Sequence, residues 1–107
     1  MGSHVRRWLG QPGLIPLIHG LQAQPCLIFS ITPLNAKLRQ VGVVPLSTSA
    51  KVLPPVVVGV PSVGPNSVAL CHQVRTIDKL RIGKYLGEIS ATDMTAIEGA
   101  VRQVYGL

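Results

Sequence analysis

Histidines are the side chains best suited to proton transfer in the part of this 107-residue chain that precedes position 78. All four carboxylates lie at or after that position: Asp78, Glu88, Asp93 and Glu98. A hydrolase built on paired carboxylates, or a carboxylate-based metal site, is therefore excluded from the earlier stretch. The base candidates left there are His19 and His72, since imidazole is a side-chain type that both accepts and donates protons near neutral pH.

The positive charge of the chain is concentrated in the same stretch. The formal net charge is +6, from ten Lys or Arg and four Asp or Glu. The four acids are balanced by four cations of the last third, so the excess comes from the carboxylate-free part: Arg6, Arg7, Lys37, Arg39, Lys51 and Arg75. This asymmetry favours an anionic partner, which is a nucleic acid, a membrane surface or an acidic protein segment.

Several other classes are excluded by composition. No apolar run reaches the length of a transmembrane helix, and no secretory signal is visible, so we expect a cytoplasmic protein with no membrane partner. Cys26 and Cys71 are too few for a disulfide framework, which favours a reduced compartment. The chain has no Cys-x-x-Cys pair and two histidines beyond His4, so we predict neither a metal site nor a cofactor.

The length predicts one domain. Residues 1–4 (Met-Gly-Ser-His) are interpreted as an expression-vector remnant, which leaves a single domain at residues 5–107. Short apolar runs between Gly and Pro residues predict strands, with residues 26–31 buried on both faces and Pro16 confining the first run to an edge or a broken strand. The predicted strands are residues 14–18, 26–31, 41–46, 55–60, 67–76 and 83–89, with a brief turn at residues 78–81.

The clearest helix is predicted at residues 90–105. Ser90 is a natural N-cap with Asp93 three residues later, a weak capping box, and Gly106 suits the C-terminal cap. Apolar residues at helical spacing define one buried stripe: Met94, Ile97, Val101 and Val104. The fold class is therefore mainly β with a C-terminal helix (α+β), arranged as a small antiparallel barrel or curled sheet.

The run Gln-Val-Arg-Thr-Ile-Asp-Lys-Leu-Arg at residues 73–81 closely resembles the C-terminal half of the MazF/PemK-type toxins. Residues 67–72, 87–90 and 94–107 extend the match. Upstream, Pro-Cys-Leu-Ile-Phe-Ser at residues 25–30, Asn35 and Val-Val-Pro-Leu-Ser-Thr at residues 43–48 resemble family segments in the same order, so the resemblance covers roughly residues 22–107. It implies an SH3-like small barrel of the MazF/CcdB/Kid type.

The resemblance also implies a function. Proteins of this family are the toxin components of type II toxin–antitoxin systems, and act as sequence-selective, metal-independent endoribonucleases on single-stranded RNA. They form homodimers, and a cognate antitoxin neutralises them by laying a flexible, often acidic tail over the RNA groove. The acidic tail and the RNA would then compete for one basic surface, which fits the excess of positive charge in this chain.

The candidate catalytic residues follow from the positions that match the family pattern. The Arg that precedes the family's Pro is Gln24 here, and the Thr that works with it is Ser47, with Thr48 next to it. The family's loop Glu falls on His19, and an acid of some members falls on His72. Metal-independent cleavage uses the neighbouring 2′-hydroxyl as nucleophile, so it needs a base, an acid and donors that hold the phosphate charge.

Each of these residues also has a structural interpretation. His19 is then a solvent-exposed loop histidine, His72 a strand histidine held by a hydrogen bond, and Ser47 a serine that caps a turn. Positively charged or hydrogen-bonding residues flank the candidate site, and we predict that they bind RNA. The alternative is that they serve solubility or structure. These residues are Lys37, Arg39, Thr48, Lys51 and Arg75. Asp78 is placed to cap the turn that follows it.

Two further hypotheses stay open at this point. A toxin fold without catalysis would bind an antitoxin only, or DNA gyrase as the CcdB-type toxins of this fold do, and the loss of the family's Arg at Gln24 supports that hypothesis. A generic small-barrel nucleic-acid binder is the weaker alternative. In each case we expect a homodimer, since strand residues 55–60 carry more apolar surface than one small core covers.

Overall fold

The computed structural model describes residues 13–19, 22–29, 37–82 and 87–107. The predicted vector remnant, Asn35 and residues 83–86 of the last predicted strand lie outside the described residues. The elements are seven strands, a single 3₁₀ turn and one helix in that part of the chain: β1 (Gly13–His19), β2 (Gln22–Ile28), β3 (Gln40–Ser47), β4 (Val57–Gly59), β5 (Val68–Leu70), β6 (Arg75–Asp78), the 3₁₀ turn (Lys79–Arg81), β7 (Gly87–Glu88) and α1 (Ala91–Tyr105).

The strands form one antiparallel sheet in the order β4-β5-β3-β2-β1-β7, and β6 pairs with the first half of β3. The edge of β3 that faces away from β2 is therefore shared, with β6 opposite residues 40–43 and β5 opposite residues 46–47. The pairs described leave the sheet open between β4 and β7. A mainly β fold with one C-terminal helix, as the sequence predicts, is confirmed.

Strands β2 and β3 are buried on both faces of the sheet. Leu27, Val44 and Leu46 point to the face that α1 covers, where they pack with Ile97 and Val101 of the helix. The alternate residues of β2 and β3 point to the opposite face, where they pack with residues of β6 and the turn after it. This second cluster consists of Cys26, Ile28, Val41, Val43, Ile77 and Ile82. The prediction that residues 26–31 form a strand buried on both sides is confirmed for the part that is described.

The prolines of the first hairpin fit its register. Pro16 of β1 lies opposite Pro25 of β2. Because neither has an N–H group, they occupy a pair in which the amide positions point away from the partner strand, and the ladder between β1 and β2 loses nothing. β1 is therefore continuous from Gly13 to His19, and since β7 pairs only with Gly13 and Leu14, Pro16 lies on an edge, which is one of the two predicted alternatives.

The prediction of one strand at residues 67–76 is wrong. β5 ends at Leu70, and the chain turns at Cys71 and His72, where the N–H of Gln73 donates to the carbonyl of Leu70. The N–H of Cys71 donates to the carbonyl of Val56, which extends the pairing of β4 with β5 by one residue before the chain turns. His72 therefore lies in a turn and not on a strand. The predicted strand at residues 55–60 is shorter than expected, at Val57–Gly59.

The helix prediction is confirmed at both ends. Oγ of the N-cap Ser90 accepts the N–H of Asp93 at 3.1 Å, and Gly106 ends the helix in the left-handed region with φ 70°. The carboxylate of Asp93 does not return to Ser90, as a simple capping box would require. It accepts from the N–H and the hydroxyl of Ser62, whose Oγ in turn accepts the N–H of Ser90. Ser62 therefore closes the box from outside the helix.

No helix in the described ranges is long and apolar enough to cross a membrane.

Candidate functional site

Strands β2 and β3 separate at Pro25, and this fork holds two of the predicted catalytic positions. β2 pairs with β3 only from Cys26 to Ile28, whereas it pairs with β1 back to Gln22. The same register, carried two residues further along both strands, sets the backbone of Gln24 level with Ser47, the last residue of β3. The two positions therefore lie at the same end of the sheet, beyond the last residues that pair between β2 and β3.

The side chain of Ser47 caps a turn, and because it is only half-buried it remains accessible to a ligand. Its Oγ accepts the N–H of Ser49 at 3.1 Å and lies 3.2 Å from the hydroxyl of Ser49, so it caps the turn after β3. On the other side, Ser47 pairs with Val68 of β5. A hydroxyl that accepts one hydrogen bond still has its proton to donate, so the capping role and a contact with a phosphate oxygen are compatible.

His19 and Gln24 are placed by the hairpin of β1 and β2. His19 ends β1 opposite Gln22, and Leu17, two residues before it, lies opposite Gln24. The backbone of His19 is therefore at the same end of the sheet as Gln24 and Ser47. The side chains of these hairpin residues lie outside the described part of the structure. The prediction that His19 is a loop residue changes accordingly, because it is the last residue of a strand.

His72 is held by a chain of side-chain hydrogen bonds. Its Nδ1 lies 3.3 Å from the carbonyl oxygen of Val56, and its Nε2 lies 3.1 Å from Nε2 of Gln73. Oε1 of Gln73 accepts a hydrogen bond from Nη2 of Arg75 at 3.2 Å. Because a guanidinium only donates, the amide oxygen of Gln73 must face Arg75 and its NH₂ group must face His72. Nε2 of His72 is therefore the acceptor, and Nδ1 carries the proton and donates to Val56.

The backbone of His72 is also fixed. Its carbonyl oxygen accepts a hydrogen bond of 3.0 Å from the hydroxyl of Tyr105 at the C-terminal end of α1. The ring itself is exposed. His72 is thus a positioned surface imidazole whose Nε2 lone pair accepts from the NH₂ group of Gln73.

The structure does not bring His72 to Ser47. β5 runs from Val68, opposite Ser47, away from the fork, and Arg75 after the turn lies opposite Val43, four residues before Ser47. At about 3.3 Å per residue, Arg75 is roughly 13 Å along the strand from Ser47, and His72 lies in the turn that leads from β5 to Arg75. No hydrogen bond within the described ranges joins the two side chains. The four predicted catalytic residues therefore divide into a group at the fork and one histidine apart from it.

The predicted RNA-binding residues lie at both ends of β3 and near its middle. Lys37 and Arg39 precede the strand, whereas Thr48 and Lys51 follow it, and all four are exposed. A strand of eight residues separates its ends by about 23 Å. Arg75, also exposed, lies between them opposite Val43. The cations therefore do not converge on one point but lie along the length of the strand.

The two cysteines are buried, and the structure shows both as free thiols. Burial raises the pKa of the Cys26 thiol to about 12, against an opposing effect of the Arg75 guanidinium, which lowers it. Burial alone raises the pKa of Cys71 to about 11. Neither thiol forms a thiolate at neutral pH, so neither serves as a nucleophile.

Three residues of the site were not among the sequence candidates. Gln73 opens the run at residues 73–81 that carries the family resemblance, so that run was a signal for it. Ser49 forms a hydrogen bond with Ser47, and Tyr105 forms one with the backbone carbonyl of His72. No local sequence pattern indicates either contact. Asp78, in contrast, caps the next turn as the sequence predicts, since its Oδ1 accepts the N–H of Leu80 at 2.8 Å.

An open pocket of roughly 280 Å³ adjoins the fork. Thr48, which follows Ser47, and Val68, which pairs with it, both line this pocket. Its other side is formed by the loops on either side of β4 and before β5. A predicted site residue, Thr48, therefore takes part in this pocket together with a neighbour of Ser47.

Comparison with known proteins identifies relatives over almost the whole chain. The model of the PemK-like, MazF-like toxins of type II toxin–antitoxin systems matches residues 20–105. A solved structure of an endoribonuclease from a mycobacterial species, in complex with its cognate antitoxin, is 26% identical with a TM-score of 0.79 and covers 91% of this chain and 94% of that chain. No curated protein sequence matches the chain significantly.

Two further structures support the same fold. A MazF toxin from Mycobacterium tuberculosis is 25% identical with a TM-score of 0.74, covering 89% of this chain and 97% of that chain. A complex of MazE and MazF from Deinococcus radiodurans, at 23% identity and a TM-score of 0.78 over 91% and 94% of the chains, shows likeness of fold alone. The matches confirm the fold class and the resemblance drawn from the sequence, and they do not favour the alternative of a non-catalytic binder.

Proposed function

Since this chain belongs to the family of PemK-like, MazF-like toxins of type II toxin–antitoxin systems, we propose that it is the toxin of such a pair and cleaves RNA as an endoribonuclease. The observation that carries this proposal is the family match over residues 20–105, because that range contains both the fork and the His72 turn. The mycobacterial relative of similar length is itself an endoribonuclease.

The fork is the proposed place of the scissile phosphate. The 2′-hydroxyl of the preceding ribose attacks phosphorus, its proton passes to a base, and the 5′-oxygen leaves with a proton from an acid. Ser47 donates a hydrogen bond to a non-bridging oxygen, and Gln24 supplies a neutral hydrogen-bond donor where the family has a cation. These contacts hold the charge of the pentacovalent state.

The two histidines take different parts in this proposal. His19 ends β1 at the same end of the sheet as Gln24 and Ser47, so it is the proposed proton-transfer residue at the fork. His72 lies away from Ser47, and its Nε2 accepts a hydrogen bond from Gln73, which is the state of a base and not of an acid. His72 therefore serves as the second base candidate, or contacts RNA beyond the scissile phosphate.

A basic track along β3 is the proposed RNA-binding surface. This track follows a path of about 23 Å, with Lys37 and Arg39 at one end, Arg75 near the middle, and Thr48 and Lys51 at the other end. This length suits several nucleotides and not a single phosphate. The whole sequence has only four aromatic residues, so we expect phosphate contacts and shape to dominate over base stacking.

The proposed partners are a cognate antitoxin and a second copy of the chain. The relatives from a mycobacterial species and from Deinococcus radiodurans were solved with an antitoxin or with MazE. An acidic, flexible antitoxin tail would compete with RNA for the basic track. Large apolar side chains that are exposed in one copy of the chain support a homodimer: Leu38, Val52, Leu53, Leu80, Tyr105 and Leu107.

The test of the proposed function is cleavage of a long RNA of known sequence in EDTA. A Ser47→Ala protein purified in parallel is the matched control, because a contaminating nuclease would cut equally in both samples. We expect discrete cuts with 2′,3′-cyclic phosphate ends, made roughly 10²-fold more slowly by the variant. The proposal fails when neither the parent nor a Gln24→Arg variant makes such cuts, and RNA or gyrase binding without cleavage would then indicate a binding protein.

The two histidines are separated by the same assay. His19→Asn is expected to slow cleavage at saturating RNA, whereas His72→Asn is expected to act mainly on the RNA concentration required for half-maximal rate. Equal losses at saturating RNA would contradict this division of roles. Sedimentation of the protein at micromolar concentration tests the homodimer, and a monomer would contradict it.

A further inference from the structure

The turn after β5 is held together by its own hydrogen bonds and by those of the adjoining hairpin of β4 and β5. The N–H of Cys71 donates to the carbonyl of Val56 at 2.9 Å, and the N–H of Gln73 donates to the carbonyl of Leu70 at 3.0 Å. The ring of His72 contacts Val56 again and the neighbouring Gln73. All of these partners belong to the hairpin or to the turn itself, so they fix the internal shape of the turn and not its position against α1.

A hydrogen bond from the helix also reaches this turn. The hydroxyl of Tyr105 donates to the carbonyl of His72 at 3.0 Å, across 33 residues of sequence. Tyr105 is the last residue of α1, and the backbone after it is closed by the left-handed Gly106 and by the N–H of Leu107, which donates to the carbonyl of Arg102 at 2.9 Å. The hydroxyl is therefore presented by the end of a capped helix, which is a more precise support than a loop.

Helix α1 is itself fixed on the sheet. Its apolar stripe packs in one core cluster with residues of β2 and β3. At its N-terminal end, Asp93 accepts two hydrogen bonds from Ser62, which lies in the loop between β4 and β5. The hairpin of β4 and β5 is therefore tied to the helix at both of its ends, through Ser62 at the loop and through the contact of His72 with Tyr105 after β5.

The hydrogen bond between Tyr105 and His72 lies at the surface. Tyr105 is 47% exposed, and His72 is exposed as well. Water can replace either partner when the bond is broken, so no buried group is left without a partner and the fold loses little stability. The bond therefore differs from the contact of the buried Asp93 with Ser62, because it decides where the turn lies and not whether the chain folds.

We propose that Tyr105 is a positioning residue for the cleavage reaction, and that its hydroxyl holds the imidazole of His72 in one place beside Arg75 of the basic track. The inference rests on the proposed endoribonuclease function, in which His72 is the second base candidate or an RNA contact. Tyr105 acts through the backbone of His72 and not on the RNA itself. A turn that is already ordered loses less conformational freedom when RNA binds, so the hydroxyl favours binding without entering the chemistry.

Tyr105→Phe tests this proposal, because it removes the hydroxyl and keeps the aromatic ring. Thr95→Val is the matched control, since it removes a hydroxyl from the exposed face of α1 that forms no hydrogen bond with another residue in the described part of the chain. We expect Tyr105→Phe to raise the RNA concentration required for half-maximal rate by roughly fivefold, while the rate at saturating RNA stays within about twofold of the parent. Thr95→Val should match the parent in both quantities.

The dependence on His72 separates positioning from a structural effect elsewhere in the protein. In a His72→Asn protein the backbone of the turn is kept but the imidazole is absent. Tyr105→Phe should then change the half-maximal RNA concentration by less than about twofold, because the two residues act through one contact and their effects do not add. An equal effect of Tyr105→Phe in both backgrounds would overturn the proposal, and so would the absence of any effect in the parent.

Hydrogen exchange of the backbone amides tests the same bond without RNA. Tyr105→Phe should speed exchange at Gln73 roughly tenfold, since that amide belongs to the turn, and should leave exchange at the buried Val101 of α1 unchanged. Faster exchange at Val101 as well would show that the helix itself loosens, and no change at Gln73 would show that the hairpin alone fixes the turn. Either result would overturn the proposal. When the parent cuts no RNA, the proposed function fails, and this measurement still decides whether Tyr105 positions the turn.

Discussion

Nη2 of Arg75 donates a hydrogen bond of 3.2 Å to Oε1 of Gln73. This hydrogen bond orients the side-chain amide of Gln73 so that its NH₂ group faces Nε2 of His72. Arg75 on strand β6 thereby supports the same His72 tautomer, with the proton on Nδ1, that the carbonyl of Val56 favours. Arg75, which the sequence presented as either an RNA contact or a structural residue, is a positioning residue for His72 in this structure.

Replacement of Arg75 by Ala should therefore change the tautomer of His72. In the parent protein we expect the proton of the neutral ring on Nδ1, since Nδ1 faces the carbonyl of Val56. Without Arg75 the amide of Gln73 is free to flip, and both tautomers become populated. The ¹⁵N chemical shifts of the His72 ring report this ratio directly, with the His72→Asn spectrum used to assign the signals.

Arg81→Ala is the matched control for Arg75→Ala, because Arg81 is also exposed and makes no hydrogen bond with another residue in the described part of the chain. It removes the same charge without contact to Gln73. The free energy of unfolding of both variants should lie within about 1 kcal/mol of that of the parent, as is usual for surface substitutions. An unchanged His72 tautomer in Arg75→Ala would show that Val56 alone fixes the ring.

The contact of Asp93 with Ser62 should make Asp93 the carboxylate on which the stability of the fold depends most. Asp93 is buried, and it accepts two hydrogen bonds from Ser62 while its own N–H binds the N-cap Ser90. Asp93→Ala leaves the N–H and the hydroxyl of Ser62 without their charged acceptor, which should lower the free energy of unfolding by about 3 kcal/mol. Urea denaturation followed by circular dichroism measures this change.

Glu98→Ala, on the exposed face of the same helix, serves as the control and should change the free energy of unfolding by less than about 0.5 kcal/mol. Ser62→Ala should reproduce part of the loss, since it removes one of the two donors and the link to the N–H of Ser90. Asp93→Ala and Glu98→Ala proteins of equal stability would refute the role given to this cluster.

The sequence predicts those features of the fold that are decided locally. Ser90 and Gly106 end the helix because capping depends on neighbouring residues, and the apolar run from Cys26 indicates burial on both faces. The break at Cys71 and His72 has no such local signal, since neither Gly nor Pro stands there. It is stabilised by the carbonyl of Val56, which accepts the N–H of Cys71.

The candidate site follows the same division. The resemblance points to Gln24 and Ser47, and the strand register sets their backbones level. The environment of His72 comes from Val56, 16 residues away, and from Tyr105, 33 residues away. Contacts at such separations depend on the assembled fold and cannot be derived from spacing in the sequence.

The two buried thiols predict a loss of stability at alkaline pH. Burial raises the pKa of Cys26 to about 12 and that of Cys71 to about 11, from an ordinary value of 9.0. Above pH 9 the unfolded chain releases the thiol protons while the folded chain retains them, so unfolding becomes more favourable as the pH rises. Each thiol should contribute a slope of up to about 1.4 kcal/mol per pH unit between 9 and its folded pKa.

Urea denaturation at pH 8, 9 and 10 measures this slope, and a Cys26→Ala, Cys71→Ala double variant is the control. The double variant should be less stable than the parent at pH 8 but should lose less stability on the way to pH 10. Both thiols of the folded parent should also resist iodoacetamide at pH 8. Parallel pH profiles for the parent and the double variant would show that the thiols do not cause the alkaline loss.

Gln24→Arg is the substitution that we expect to raise activity. It places a cation at the fork, where the proposed phosphate contact of Gln24 is neutral, and a charge-assisted hydrogen bond to phosphate is about twice as strong as a neutral one. Preorganised donors at a developing negative charge are worth roughly 10²-fold in rate, so the single-turnover rate on a defined RNA should rise by about that factor. A gain in rate cannot be produced by partial unfolding, which makes this variant more informative than a loss-of-function change.

Gln103→Arg on the exposed face of α1 adds the same charge away from the fork, and should change the rate less than about threefold at moderate salt. Equal rates for the two variants would show that the added charge acts only through general attraction of RNA and that position 24 does not contact the scissile phosphate.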